Sequence, residues 1–269
     1  MCFDITGTDS RMHSAERLRE FIACAWGLGT TPAHRYDLLW RQTKNLRARV
    51  RLARHHPDRI FQVQTRYGTI HLRDNFGDVT NLPGLLHQNE YRIGKFAGDG
   101  VVLDVGANIG LVAALVAWHN PDTPIHCFEP LPGNVKMIRL NCPCARIEHA
   151  CVGRAPATIR LRVDNDGVMA TSIATPWETS ESEFPVITLD GYVAMHGIRK
   201  VEFLKIDTEG MEIDVLEGAR TVLPSTARVA METHSAELHR ESLARLRAAG
   251  FTAEDEPFDG ATGFVFAAR

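Results

Sequence analysis

The chain lacks a dominant charge: 30 Lys and Arg stand against 33 Asp and Glu, a formal net of -3 over 269 residues. That leaves no global field to draw in nucleic acid or an anionic membrane. No apolar run reaches the length of a membrane span, and the first residues lack the basic start and apolar core of a signal peptide. A cytoplasmic location and no membrane partner are therefore expected. Six cysteines (Cys2, Cys24, Cys127, Cys142, Cys144 and Cys151) have no second Cys/His pair at ligand spacing, although Cys142 and Cys144 flank a proline. They are expected as buried small hydrophobes in a reducing compartment, without zinc and without disulfides. Internal repeats and low-complexity segments are also missing. These exclusions leave an ordinary globular chain, long enough to bury a large core.

What is present has two textures. SAERLREFIACAWGLG is capped by Ser14, repeats Leu18, Phe21, Ile22 and Ala25 at helical spacing, and closes at Gly27 and Gly29. A second helix is predicted over about 32–55, with Leu38, Leu39, Leu46, Val50 and Leu52 inward and Arg35, Arg41, Lys44, Arg47, Arg49, Arg51 and Arg54 on the rest of its surface. With no interleaved aromatics, that basic face reads as solvated helix rather than as a nucleic-acid site. Residues 60–73 alternate around Tyr67-Gly68 as a hairpin, and a loop with a short helix ends near Glu90 and Tyr91. From Val101 onward apolar strands alternate with helices: 101–105, 123–130, 147–153, 201–210 and 226–234, with an inserted hairpin before Asp190 and a closing hairpin around Asp259-Gly260. Five βα units and a terminal hairpin predict an α/β fold with a seven-stranded sheet whose last strand is antiparallel. Its ligand crevice would lie outside the carboxyl ends of the strands. Residues 1–95 are expected to form a helical and hairpin cap, and residues 96–269 the sheet domain.

Chemistry concentrates at the strand ends. VVLDVGANIG, residues 101–110, is a buried strand that breaks into a turn spaced D-x-G-x-x-x-G over Asp104, Gly106 and Gly110. Any tight βα turn could look like this. The G-x-G-x-x-G that accepts a dinucleotide pyrophosphate is absent, which weighs against a nicotinamide-dependent oxidoreductase. Glu129 ends the next strand at the distance where a carboxylate accepts hydrogen bonds from both ribose hydroxyls. Ribose without pyrophosphate points to an adenosine-bearing cofactor such as S-adenosyl-L-methionine, with its amino-acid part near Asp104 and Gly106. KIDTEGME places Lys205, Asp207, Glu209, Glu212 and Asp214 at a strand-to-helix junction, where Glu209 and Glu212 also suit a helix dipole. Asp207 closes its strand at the reactive edge, and Glu232 and His234 close the next one. A histidine there is a candidate general base, with Asp207 as the alternative base and orienting group. Asp207, Glu209, Glu232 and His234 could instead hold a divalent ion, but a hydrogen-bonded carboxylate cluster has the same sequence, and no metal is expected.

Together DVGANIG (residues 104–110), FEP (128–130), TLD (188–190) and LKIDTEGMEIDVLEGA (204–219) resemble the FkbM family of S-adenosylmethionine-dependent methyltransferases. GDV at 77–79 and NEY at 89–91 resemble the stretch just upstream of that family's cofactor turn. The resemblance implies a class I, Rossmann-like methyltransferase fold and O-methylation of a hydroxyl on a small-molecule secondary metabolite. Alternatives are a carboxylate or amine acceptor, or a catalytically silent cofactor-binding protein. Carried over by position, Asp104, Gly106, Ala107, Asn108 and Gly110 hold the methionine part, Glu129 with Pro130 the ribose, and Cys151 with Val152 the adenine. Asp207 lies beside the transferred methyl. Asp78, Tyr91, Glu209 and Glu232 are candidate acceptor contacts, and the N-terminal helices a candidate homodimer surface.

Overall fold

A computed structural model describes residues 10–49, 56–164, 170–172, 179–256, 258 and 262–269. Helices α1 (Ser10–Leu28) and α2 (Pro32–Arg49) pack on each other, followed by the antiparallel hairpin β1 (His56–Thr65) and β2 (Gly68–Asp74). A short helix α3 (Phe76–Thr80) and a wide helical turn (Pro83–Gln88) complete this part. Helix α1 starts before Ser14, and its buried side is Phe21, Cys24, Ala25 and Leu28. Leu18 and Ile22, which share that helical spacing, are 41% and 40% exposed. The stripe through Phe21, Cys24, Ala25 and Leu28 turns inward and leaves them on its flank. On α2 Leu38 is buried, whereas Val50 and Leu52 lie outside the described residues. Three basic side chains of α2 have partners within the chain: Arg41 with Asp37 at 2.9 Å, Lys44 with Asp74 at 2.6 Å, and Arg35 with the Gly29 carbonyl at 3.1 Å.

The rest is a twisted sheet with helices on both faces. Its strands are β3 (Val101–Val105), β4 (Ile125–Phe128), β5 (Arg146–Glu148), β10 (Val201–Ile206), β11 (Thr226–Thr233), β12 (Thr252–Asp255) and β13 (Gly263–Ala268). They lie in the order β12-β13-β11-β10-β3-β4-β5, with β13 antiparallel to its neighbours. This is the predicted seven-stranded sheet with one antiparallel strand. Alternating side chains divide the core between the two faces. Val102, Cys127 and Phe203 meet α4 (Leu111–His119), α5 (Pro132–Asn141) and the N-terminal elements. Leu103, Leu204, Ile206 and Met231 meet α6 (Leu189–His196), α7 (Glu212–Glu217) and α8 (Ala236–Ala248). Leu28, Leu38, Leu72, Leu86 and Tyr91 share one apolar cluster with the sheet, so the boundary expected between residues 95 and 96 runs through a continuous core.

The segment expected as a third strand over 147–153 is split. Residues 146–148 join the main sheet as β5, whereas β6 (Cys151–Val152) pairs with β9 (Thr179–Ile187) in a second sheet ordered β6-β9-β7-β8, with β7 (Ala157–Asp164) and β8 (Ala170–Thr171). The inserted hairpin is therefore a small sheet that extends the wall of the crevice. The tip of the closing hairpin, Asp259-Gly260, lies outside the described residues. Cys24, Cys127, Cys142 and Cys151 are buried as expected, but Cys144 is exposed.

Asn141 ties the N-terminal hairpin to the cofactor-type turn. Its Nδ2 donates to the carbonyls of His71 (3.0 Å) and Ile109 (2.8 Å), and its Oδ1 accepts from the His71 N–H at 2.7 Å. Removing all three bonds while leaving the Ile109 carbonyl buried should cost about 2 kcal/mol. Asn141→Ala is thus expected to lower the urea unfolding midpoint with an unchanged slope, and an unaltered midpoint would show that the tie carries no stability.

Candidate active site

Parallel register brings four strand ends to one edge. Lys205 lies opposite Asp104 and Ile206 opposite Val105, while Ile206 also lies opposite Met231 and Val105 opposite Phe128. One residue further along, Glu129, Gly106, Asp207 and Glu232 leave adjacent strands side by side, where the strand order reverses. Gly106 has a φ of 75°, and a Cβ there would fall 1.7 Å from the Asp207 carbonyl oxygen. The glycine admits the neighbouring strand's backbone; it is not there only to admit a ligand. Two non-glycine residues at this edge, Asn108 and Glu209, also adopt left-handed backbone, at φ 50° and 53°. Such a conformation costs a glutamate about 1 kcal/mol or more and persists only where its surroundings impose it. Here the Glu209 carbonyl accepts from Thr171 Oγ1 (3.1 Å) and from the Ser172 N–H (3.2 Å), both supplied by the inserted sheet.

A cleft of about 600 Å³ opens at this edge. Phe128, Cys151, Val152, Leu161 and Met211 make one end apolar, Glu129, Asn108 and Asn134 line the middle, and Asp207, Thr208 and Glu209 close the other end. Gly106 and Pro130 also line it. Asp104, Ala107 and Gly110 are not among its walls: Asp104 is buried behind the turn with Lys205 Nζ 3.4 Å away, Ala107 is buried, and Gly110 caps α4 against Ile138. These three shape the turn from behind. Asp78 likewise does not line the cleft. It holds Arg73 through Nη2 at 2.9 Å and Nε at 3.0 Å, and its own N–H is capped by Asn75. A buried pair of this kind fastens the fold; it is not an acceptor contact.

That pair extends to the cleft. Arg73 Nη2 donates to Asn134 Oδ1 (2.7 Å), and Asn134 Nδ2 donates to Glu129 Oε1 (3.1 Å). Glu129 also accepts from the Leu131 N–H (2.9 Å) on Oε1 and the Asn108 N–H (2.8 Å) on Oε2. A carboxylate has about four acceptor positions, so one direction on Oε2 remains. The Asn108 Oδ1 and Thr208 Oγ1 atoms are buried at the cleft and have no hydrogen-bond partner. Burial pushes the Glu129 carboxyl up to about 7, against the pull of its three donors. Burial likewise pushes the Cys151 thiol up to about 12, which leaves it an inert part of the wall.

At the acidic end Tyr91 stands with its hydroxyl 3.1 Å from both Asp207 Oδ2 and Glu232 Oε2. Lys205 Nζ donates to the Gly106 carbonyl at 2.5 Å and lies 3.3 Å from Asp207. The His234 side chain is only 3% exposed; its Nδ1 sits 2.8 Å from Glu212, and its Nε2 lies 3.7 Å from Asp207 and 3.6 Å from Glu209. Burial favours the neutral ring, but Glu212, Glu209 and Asp207 together push His234 up to about 10. An imidazole already protonated at neutral pH cannot serve as the general base expected of it. Asp207 is no better: burial alone would raise it, yet Lys205 and His234 hold it below the usual carboxylate range. Glu209 and Glu90, both crowded by neighbouring carboxylates in buried surroundings, are each pushed up to about 7. Glu90 and Glu212 fall inside NEY and KIDTEGME, and Asn134 inside no motif, and sequence inspection passes over the roles of all three at the site. Only the acidic position at the start of α7 hints at Glu212.

Comparison with known proteins adds three findings. The family model described as methyltransferase FkbM domain matches residues 104–253. Among curated relatives, the 31-O-demethyl-FK506 methyltransferase FkbM of Streptomyces tacrolimicus is 30% identical over 200 residues, covering 60% of this chain and 77% of that protein. The 2-O-methyltransferase NoeI of Sinorhizobium fredii is 25% identical over 166 residues, covering 54% and 68%. Among solved structures, Aeropyrum pernix fibrillarin with natively bound S-adenosyl-L-methionine aligns with a TM-score of 0.40 and 13% identity over 63% of this chain and 66% of that one.

Proposed function

The chain belongs to the FkbM methyltransferase family, and we propose that it uses S-adenosyl-L-methionine to methylate a hydroxyl group of a small molecule. Glu129 carries this reading. Its carboxylate lies between an apolar end that suits a purine and an acidic end that suits a cation, and one acceptor position still faces the cleft. Asn108 Oδ1 offers a second acceptor beside it, so the two ribose hydroxyls would be shared between these residues rather than both taken by Glu129. Phe128, Cys151, Val152 and Leu161 would flank the adenine. Asp207 and Glu209 would face the positive charge of the cofactor. When bound, the cofactor supplies an electrophilic methyl carbon on a sulfonium. The chain's own contribution is to hold the acceptor oxygen in line with it and to keep water out, which can account for much of the rate. Two curated relatives bear O-methyltransferase names, which favours a hydroxyl acceptor over an amine.

The reading is tested by calorimetric binding of S-adenosylhomocysteine, followed by a mass-spectrometric search for methylated products among hydroxylated metabolites. Nicotinamide dinucleotide binding in its place would overturn it. The pH dependence provides a sharper check. Ribose hydroxyls donate, so binding prefers ionised Glu129, and S-adenosylhomocysteine affinity should rise roughly tenfold from about pH 6 to about pH 8 for a carboxyl titrating near 7. Stability of the ligand-free protein moves the other way. A carboxyl raised by folding contributes stability below its unfolded value, and this contribution is lost as pH rises through about 7. Glu129→Gln should flatten the binding slope; an equally steep slope in that variant would assign the titration to another group.

A further inference from the structure

We propose that Asp207, Glu232 and His234 form a binding site for one divalent cation at the acidic end of the cleft. One ligand atom from each residue lies within 4.8 Å of the others. They are carried by the ends of two adjacent parallel strands, so the set is prearranged rather than gathered from mobile side chains. The independent pointer is the His234 ring. It is almost wholly buried and fixed through Nδ1 by the fully buried Glu212, yet its Nε2 makes no hydrogen bond and faces carboxylate oxygens 3.6 and 3.7 Å away. Those separations are too long for hydrogen bonds. They are close to the edge of a coordination polyhedron with ligands at about 2.1 Å. A ligating histidine whose other nitrogen is held by a carboxylate is the common arrangement at protein metal centres.

The surroundings ask for the same charge. Tyr91 Oη lies 3.1 Å from both Asp207 and Glu232 and has one proton to share between them. Lys205, the nearby ammonium, is occupied by the Gly106 carbonyl, Asp104 and Asp207. Glu209 lies beside His234 as a candidate third oxygen donor. One nitrogen with two or three carboxylates suits Mn²⁺, Fe²⁺ or Zn²⁺ better than Ca²⁺. Resting on the methyl-transfer reading, the cation would take the acceptor hydroxyl as a further ligand and lower its pKa, so that the proton leaves to water before the oxygen attacks. Binding would displace the proton from His234 Nε2, because a metal-ligating imidazole is deprotonated at that nitrogen.

The test uses the full chain, stripped with chelator and titrated with Mn²⁺ alone. One Mn²⁺ per chain is expected, with imidazole nitrogen modulation in its electron spin-echo spectrum and at least a thirtyfold loss of affinity in Glu232→Gln and His234→Gln. The nitrogen signal is read on the unaltered protein and needs no variant to fold. Absence of stoichiometric binding, absence of the nitrogen signal, or equal affinity in folded variants would overturn the site. S-adenosylhomocysteine binding is measured in parallel on the same unaltered protein. If it is present while Mn²⁺ fails to bind, the cation site falls and the methyl-transfer reading stands; Mn²⁺ bound through imidazole without it supports the site and removes that reading.

Discussion

Glu129→Gln is expected to weaken S-adenosylhomocysteine binding by about a hundredfold or more, the largest loss any single conservative substitution should produce in this cleft. The carboxylate is asked to accept from every side: the N–H groups of Leu131 and Asn108, Asn134 Nδ2, and a ribose hydroxyl. A glutamine offers one oxygen and one NH₂. Whichever way the amide turns, its NH₂ meets a donor, either the Asn108 N–H on one side or the Leu131 N–H and Asn134 amide on the other. A charge-assisted bond to the ribose is worth about 1.5–3 kcal/mol, and turning a donor on Asn108 would also displace the turn that shapes the cleft. The sum, about 3 kcal/mol, is the hundredfold loss. Calorimetry on the refolding-competent variant decides it, and affinity within threefold of the parent would mean that Glu129 does not face the ribose.

Gly106→Ala is expected to do more damage to the fold than any other alanine substitution in the turn. The new methyl group would fall 1.7 Å from the Asp207 carbonyl oxygen and 2.9 Å from its carbon, so two parallel strands must separate by more than 1 Å. Side chains cannot absorb this overlap because both partners are backbone. The left-handed φ of 75° adds its own cost for a residue with a Cβ. A loss of about 3 kcal/mol or more, together with loss of cofactor binding, follows. Gly110→Ala is the built-in control: its φ is also left-handed, at 82°, but the methyl group would meet only Ile138, at 3.1 Å. Denaturant unfolding of the two variants should therefore separate by a clear margin. Equal midpoints would show that the Asp207 carbonyl can move aside freely.

The contrast between these glycines also marks what the sequence makes legible. Strands such as 101–105 and 201–206 are short apolar runs ended by Gly or Asp, and that pattern alone gives their parallel direction and the edge where Glu129, Asp207 and Glu232 meet. Backbone neighbours are predictable because register propagates along strands. Side-chain partners across the fold are not. Asp78 reads as an acceptor contact until Arg73 is seen to close on it, and His234 reads as a base until Glu212, from the preceding helix α7, is found on its Nδ1. Cys151 lines the cleft but pairs in the small second sheet rather than in a third main-sheet strand over 147–153, because a two-residue strand carries too little pattern to reveal its partner. Leu18 and Ile22 fail for a related reason: helical spacing identifies a stripe but not which of two overlapping stripes turns inward.

The segment before the first strand of the main sheet reaches the cleft twice, once at its acidic end and once at its middle. Tyr91 reaches Asp207 and Glu232, and Arg73 reaches Glu129 through Asn134. This segment lies upstream of the region matched by the family model, which starts at residue 104. Grafting it from one family member onto the core of another would therefore alter the alignment of both the ribose carboxylate and the acidic cluster. Chimeras built to change acceptor choice should exchange residues 70–95 together with α5 and the end of β11, or lose cofactor affinity along with the old specificity.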